Sequence, residues 1–447
     1  IKKVKIATSR LDAIDTLPTI LRTSTGNVIV VSNGSNLIQK ITKENTVYCI
    51  CYPFNLNGGT LRLPKNTSLE FVGGSISNGT IIGNNSSIIA DTKVFNNVNL
   101  QGTWRCVGNV GWWAKGSSTI EYTHGVFIPE NFNDHDNIQL ALDSSFRELI
   151  FPPKLFYTAT TLTLSKEKKI VMQGSTMKLS LAQCKDTIHN SAVLYTDKDI
   201  DLLVIAVKEN GNYHASVTIE GGSFDVSRCI NDNMEFIPYT HSVIKVKADD
   251  GEKLWGLTIN TSVKGTDNCR EGVGINLNPD RDDTKVAEIA NGTRYYNLED
   301  FGYITQVRIY GSISHFGTGL RVKNYETNKI FYNWCTDVQV DCNFSDCHEA
   351  IYSNTEIDIR GMIQAAHFYN TVNNGAALIT LDSDMACVQA NIYDMGTATT
   401  QQYALRINQP NSRITTGGLF KAFLAAQQWQ NSRQLSDMVA GYTNTLV

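Results

Sequence analysis

The stretch from Asn133 to Met177, NDHDNIQLALDSSFRELIFPPKLFYTATTLTLSKEKKIVMQGSTM, restricts the fold more than any other part of the chain. Asp134, His135 and Asp136 stand ahead of a run in which Ile138, Leu140, Ala141, Leu142 and Phe146 recur at helical spacing. A carboxylate at Asp134 or Asp136 accepts from the unpaired first amides of such a helix, so the run predicts a capped helix. A short strand at Leu149 to Phe151 follows, then the turn Pro152-Pro153. Thr161-Leu162-Thr163-Leu164 and Lys169-Ile170-Val171-Met172 then alternate in character, the period of a half-buried strand, and Gly174 follows the second.

At 447 residues the chain exceeds what one compact core usually organises, which leaves several domains or an elongated repeat. Charged residues are only 18% of it, and 33 Gly with abundant Asn, Thr and Ser point to many turns. A net charge of -4 supplies no electrostatic reason for a nucleic-acid partner. No apolar run reaches the roughly 18 residues that span a bilayer. The ten cysteines contain no CxxC pair, which removes zinc-ribbon and thioredoxin-like readings. Free, partly buried thiols are expected, with assembly in a reducing cytosol.

Taken in order, the chain opens with a segment over 1–45 that begins basic (Lys2, Lys3, Lys5) and is expected to serve in attachment. From 46 to 104 the pattern is strand and turn: Leu61 and Leu63, then Leu69 and Phe71, alternate with polar neighbours. The run Gly73-Gly74-Ser75-Ile76-Ser77-Asn78-Gly79-Thr80-Ile81-Ile82-Gly83-Asn84-Asn85 suits stacked solenoid turns, with Gly and Asn in left-handed corners. A linker is expected over 105–130. Strand signals then recur at Val217-Thr218-Ile219-Glu220, Leu257-Thr258-Ile259-Asn260, Val307-Arg308-Ile309-Tyr310, Val338-Gln339-Val340-Asp341 and Ile357-Asp358-Ile359-Arg360. The last two are 19 residues apart and the others 31 to 50, which implies missed coils or insertions, the longest at Lys264 to Asp300. Over 416–447, Leu419, Phe420, Phe423, Leu424, Leu435, Met438, Val439 and Tyr442 fall at helical spacings and predict a helical cap or oligomerisation segment.

The 133–177 stretch resembles the pectate-lyase-like right-handed β-helix superfamily, above all bacteriophage tailspikes, where acidic residues, an IQxAID-type helix and an FPPGxY-type strand lead into the first coils. Lys154 stands here in place of the Gly. The segment from Leu69-Glu70-Phe71-Val72-Gly73-Gly74-Ser75 through Phe95 to Gly102-Thr103-Trp104 is similar to a small β-solenoid module found ahead of the β-helix in gut Bacteroidales proteins and their phages. Trp112-Trp113-Ala114-Lys115-Gly116 stands where such proteins carry an aromatic joint. The resemblance implies a mostly-β chain: a right-handed parallel β-helix over 131–415, a small β-solenoid module before it and a short helical end after it. It also implies a tailspike-like homotrimer on a virion tail, held through its N-terminal segment and binding, or also depolymerising, cell-surface polysaccharide. A non-enzymatic tail adhesin is the alternative. A secreted or cell-surface polysaccharide lyase or glycoside hydrolase is another.

Stacked as neighbouring coils, the strand signals present two outward rows. One is Thr218, Thr258, Arg308, Gln339 and Asp358; the other is Glu220, Asn260, Tyr310, Asp341 and Arg360. Coils lie about 4.8 Å apart, so Asp341 and Asp358, diagonal across two of them, are candidates for a glycosidase carboxylate pair. Glu220 is a third catalytic candidate. Arg308 and Arg360 suit anionic sugars, Tyr310 offers a stacking face, and Trp334 heads an aromatic patch with Tyr332 and Tyr325. The bland alternative is a surface ladder of paired charges. No cofactor or metal is expected: HExxH, GxSxG, Walker and GxGxxG signatures are absent, and Asp280-Arg281-Asp282-Asp283 reads as a solvated turn. His348-Glu349, beside Cys347, is the only histidine cluster, and chance explains it.

Overall fold

A computed structural model describes residues 27–117, 122–123, 126–127, 133–174, 191–207, 215–227, 229–231, 233, 235–248, 252–278, 283–293, 302–327, 330–365, 377–383, 385–393, 403–408, 413–415, 421–423 and 439–441. The chain divides into two units: 1–115 with 136–149, and 116–135 with 150–447.

In the first unit, Asn27–Val31, Thr46–Ile50, Ser68–Phe71 and the long strand Ser75–Ile89 pair in parallel, and Phe95–Trp104 pairs with the last of these. Parallel pairing of near neighbours in sequence requires the chain to return to the same edge each turn, which is a solenoid. Its interior follows from the period of two. Tyr48, Leu69 and Ile88 share one register column, Leu61, Ile81 and Leu100 another, and all are at most 4% exposed. Trp113 closes this core: it is fully buried, its indole donates to the Val98 carbonyl at 2.9 Å, and it packs against Phe95 and Phe146.

The corners explain the asparagine content. Asn45, Asn66 and Asn85 all sit at positive φ between 51° and 59°. Their side chains form a ladder, Asn66 donating to Asn45 at 2.8 Å and Asn85 to Asn66 at 2.5 Å. Asparagine tolerates this backbone and satisfies its amide on the next coil at the same time. Asn66→Ala is therefore expected to lose about 2 kcal/mol, the sum of a strained backbone and two exposed hydrogen bonds. Asn66→Gly, which keeps the backbone free, should lose less; chemical denaturation of both variants checks the order.

The second unit is a parallel β-helix. One sheet runs through Lys168–Met172, Val217–Asp225, Lys253–Lys264, Tyr303–Ser314, Val338–Cys347, Ile357–Ala365, Met385–Val388 and Arg413–Thr415. The other runs through Leu162–Leu164, Leu203–Ile205, Ser242–Lys247, Val273–Asn278, Thr318–Val322, Glu349–Ser353, Ala377–Leu381, Tyr403–Ile407 and Val439–Gly441. From Val217 on, each strand of the first sheet is followed in sequence by one of the second, so a coil visits both. Ile170, Ile219, Ile259, Ile309, Val340, Ile359 and Val388 stack as one inward column, each 3% exposed or less. Leu203, Ile244, Ile275, Leu320, Ile351, Ile379 and Leu405 form the facing column, equally buried. Dry aliphatic columns of this kind supply most of the driving force, at about 25 cal/mol per Å² removed from water.

Two expectations are corrected here. Lys264 to Asp300 is not simply an insertion: Val273–Asn278 lies within it as a full coil strand, paired with Ser242–Lys247 and Thr318–Val322. Its pattern, Val-Gly-Ile-Asn-Leu-Asn, is short and opens next to Gly272, which hides it among turn residues. The apolar spacing of 416–447 predicts a helical end, yet its described parts, Lys421–Phe423 and Val439–Gly441, are strands paired in parallel to Asn391–Tyr393 and Leu405–Ile407. An open coil edge offers backbone partners that outweigh a helical spacing of apolar residues. The rest of 416–447 lies outside the described residues.

Candidate functional site

The two predicted rows exist in register. Thr218, Thr258, Arg308, Gln339 and Asp358 are successive Cα partners, as are Glu220, Asn260, Tyr310, Asp341 and Arg360. Alternation places all of them on the outer side, opposite the buried column. What the geometry does with their charges differs from a carboxylate pair. Arg360 binds Asp358 on its own strand at 2.9 Å. Glu220 pairs with Lys169 at 3.4 Å, both groups nearly half exposed. Arg308 is turned to Asp337 at 3.4 Å and also donates to the Asp337 carbonyl. Asp341 is exposed, with Tyr310 and Arg360 as its register neighbours. Glu220, Arg308, Asp358 and Arg360 are thus held in surface ion pairs, a class that contributes little to stability. Trp334 stacks on Tyr303 at 5.6 Å, and Tyr303 meets the exposed Trp255 edge-on at 5.9 Å. That makes an aromatic strip on the same sheet; the side chains of Tyr325 and Tyr332 lie outside the described residues.

A concave site among the described residues lies on the other sheet. A cleft of about 330 Å³ is bounded by Arg270, Glu271, Gly317, Thr318, Arg321, His348, Glu349, Ala377, Thr380 and Arg406. Arg321, Thr380 and Arg406 reach it from a single register row. Asn276, Arg321, Tyr352, Thr380 and Arg406 are successive partners across Val273–Asn278, Thr318–Val322, Glu349–Ser353, Ala377–Leu381 and Tyr403–Ile407. Each lies between buried residues on its strand, as in Leu320-Arg321-Val322 and Leu405-Arg406-Ile407, with Ser353 the one flanking residue that is not aliphatic. The column beside it places Glu349 next to Thr318.

Glu349 is the most buried carboxyl on the cleft wall. Its carboxylate Oε2 accepts from the Thr318 hydroxyl at 3.4 Å. Burial raises its pKa above the ordinary carboxylate value, and this outweighs the lowering from the Thr380 hydroxyl, Arg321, Thr318 and Arg406. Arg321 reaches the same Thr318 hydroxyl at 3.5 Å. The Tyr352 phenol is pushed up by burial, then by Asp382 and Glu349, and it hydrogen-bonds to Asp382. Burial also lowers the pKa of His348, so its imidazole is held in the neutral form. Concavity, convergent polar groups and a displaced carboxyl pKa in one place are the general marks of a binding or reaction site.

The sequence singles out nothing on this face except His348-Glu349, which reads there as a chance cluster. The available signal is the apolar-arginine-apolar triplets at 320–322 and 405–407, which read as strands only once a second sheet is recognised. Among the described residues no group of three or more His, Cys, Asp and Glu is placed to hold a metal, and no helix is long and apolar enough to cross a membrane. Asp280 to Asp282 lie outside the described residues. The nine described cysteines are free, and burial raises the thiol pKa of Cys335, Cys342 and Cys347, which makes them unreactive packing groups.

Neither a protein-family model nor a curated protein matches the chain. Among solved structures it is similar to the siphovirus 9NA tailspike receptor binding domain, with 11% identity and a TM-score of 0.38, over 91% of this chain and 78% of that one. It is also similar to the receptor-binding protein of bacteriophage Det7, a podoviral tailspike in a myovirus, with 12% identity and a TM-score of 0.31, over 91% of this chain and 77% of that one.

Proposed function

We propose that the chain is a tailspike-like receptor-binding protein that takes host-surface polysaccharide in the cleft around Glu349, and that Glu349 donates the proton when a glycosidic bond is cut. Glu349 itself carries the reading. It is a carboxyl whose pKa burial raises above the usual range, set among hydroxyl and guanidinium groups on the lateral face of a β-helix. Cleaving a glycoside requires an acid that still holds its proton near neutral pH, and burial is the usual way to supply one. Asp382 provides a second carboxyl close by, tied to Tyr352. Thr318 and Thr380 offer hydroxyls that match sugar hydroxyls.

The sequence resemblance of 69–104 and 133–177 supports the tailspike reading. Homotrimeric assembly, attachment through 1–45 and a place on the virion tail rest on that resemblance alone and belong to the same proposal. The Asp341 and Asp358 face is the rival site, with Tyr310 and Trp334 as its stacking surfaces.

Binding of the purified chain to capsular polysaccharide from host bacteria separates the faces. Arg321→Met is expected to weaken binding about 10- to 100-fold, the value of one or two charge-assisted hydrogen bonds. Tyr310→Ala should stay within about twofold, as expected of a residue outside the site. The opposite order would move the site to the first sheet. Binding without release of reducing ends would leave a non-enzymatic adhesin.

A further inference from the structure

We infer that Asp199 and His241 form a second reaction site, a general-base dyad that hydrolyses acyl esters carried on sugars. Its chemistry stands apart from the cleft; the choice of a sugar ester as substrate rests on the function proposed above. Hydrogen bonds set the dyad. The Asp199 carboxylate Oδ1 accepts from the His241 ring Nδ1 at 2.9 Å and from the Thr240 amide at 2.7 Å, while Oδ2 accepts from the Thr240 hydroxyl at 2.8 Å. Burial alone would raise the pKa of Asp199, but these donors outweigh it and hold the carboxyl below its ordinary value. An ionised carboxylate only accepts, so the ring proton stands on Nδ1 and the lone pair on Nε2. The His241 side chain is 46% exposed against 24% for Asp199, so water reaches the imidazole.

The backbone around the dyad is held on both sides. Asp201, on the same bend as Asp199, accepts from the Ser242 amide at 2.8 Å, and the His241 carbonyl accepts from the Val273 amide at 2.9 Å. A base fixed in this way needs no reorientation when it acts. The next two rungs repeat that bond, Thr318 donating to the Gly272 carbonyl and Glu349 to the Gly317 carbonyl, so His241, Gly272, Gly317 and His348 form one row. Gly317 and His348 bound the cleft, and His241 is three coils from His348, about 14 Å at about 4.8 Å per coil. A glycan laid along the solenoid axis meets both places.

A base without an acid beside it suits an ester rather than a glycosidic bond. A water oxygen attacks the carbonyl carbon while His241 Nε2 takes the water proton. The bond from that carbon to the sugar oxygen then breaks, Nε2 returns the proton to that oxygen, and a carboxylic acid and a sugar hydroxyl leave. Asp199 stabilises the imidazolium between the two steps without touching substrate, which makes it a positioning residue. The Thr240 hydroxyl is engaged by Asp199 and lies on the Nδ1 side of the ring, at 3.3 Å, so water is the nucleophile.

The test is hydrolysis of p-nitrophenyl acetate by the full chain, followed by acetate release from O-acetylated capsular polysaccharide of host bacteria. On the small ester, His241→Gln is expected to lower kcat about 10²-fold or more, the usual contribution of a positioned base. Asp199→Asn places the ring proton on the other nitrogen and should lower kcat at least about tenfold with KM unchanged. His315→Asn, at a histidine paired with Asp346, should change neither constant, and circular dichroism confirms that each variant is folded. A wild-type rate no greater than that of His241→Gln, or an equal loss in His315→Asn, would overturn the inference. Turnover of the small ester with no acetate released from the polysaccharide would overturn the sugar ester as substrate. Glu349→Gln should leave acetate release intact, so the dyad and the cleft fail separately.

Discussion

Gly311→Val is expected to prevent accumulation of the folded chain at 37 °C. Gly311 has φ of 94°, and a Cβ there would lie 2.1 Å from the carbonyl oxygen of Thr261 on the neighbouring strand. Thr261 and Gly311 are register partners in the middle of the pairing between Lys253–Lys264 and Tyr303–Ser314. The obstacle is backbone, so no rotamer change relieves it. Either the strands separate over several rungs or the backbone of Gly311 rotates and drops its ladder bonds. Strain at such a φ costs about 1–3 kcal/mol, and the clash brings the total to the order of 4 kcal/mol or more, the exceptional end for a single substitution. That is a large part of the roughly 5–15 kcal/mol that holds a domain folded. Gly292→Ala is the control: it has φ of 71° but nothing within 4 Å of its Cβ, so only the strain of about 1 kcal/mol remains. Comparing soluble yield and the urea midpoint of the two variants separates clash from strain.

Glu349→Gln is expected to reduce glycan cleavage about 10²- to 10⁴-fold, the usual contribution of a positioned acid, while polysaccharide binding changes little. The amide keeps the shape and the hydrogen bonds to Thr318 and Thr380 but has no proton to give. The same substitution has a stability signature. The folded pKa of Glu349 lies above its unfolded value, so between the two the folded state holds more protons and stability falls as pH rises. The penalty is absent below the unfolded pKa and complete above the folded one. A neutral amide at this position carries no such penalty, so the variant should be more stable than wild type at neutral pH and equal to it in acid. A pair of melting curves at pH 4 and pH 7.5 shows whether the difference has this sign.

How much of this is legible in the sequence follows from what repeats. The outward rows on the first sheet are readable because Val-Thr-Ile-Glu, Leu-Thr-Ile-Asn, Val-Arg-Ile-Tyr, Val-Gln-Val-Asp and Ile-Asp-Ile-Arg keep the same phase, and phase fixes register when one face is buried. The left-handed corners are readable because asparagine is one of the few residues that enters them. The second sheet is harder. Its strands are short, some hold glycine, as in Val273-Gly274-Ile275, and they stand at irregular distances from the first set, so no period announces them. The cleft is illegible for the same reason. Arg321, Glu349, Thr380 and Arg406 are spread over 86 residues and meet only through the coil stacking. Conversely, Glu220, Arg308, Asp358 and Arg360 on the first sheet are taken up in ion pairs: alternation shows which side of a strand a residue faces, not which partner its charge finds.

The most direct measurement is a crystal structure of the chain soaked with oligosaccharides released from the capsule of a host it binds. Electron density for sugar is expected in the cleft of the second sheet, with a glycosidic oxygen within hydrogen-bonding reach of Glu349. Density instead along Tyr310, Asp341 and Arg360, with the Glu349 cleft empty, would contradict it.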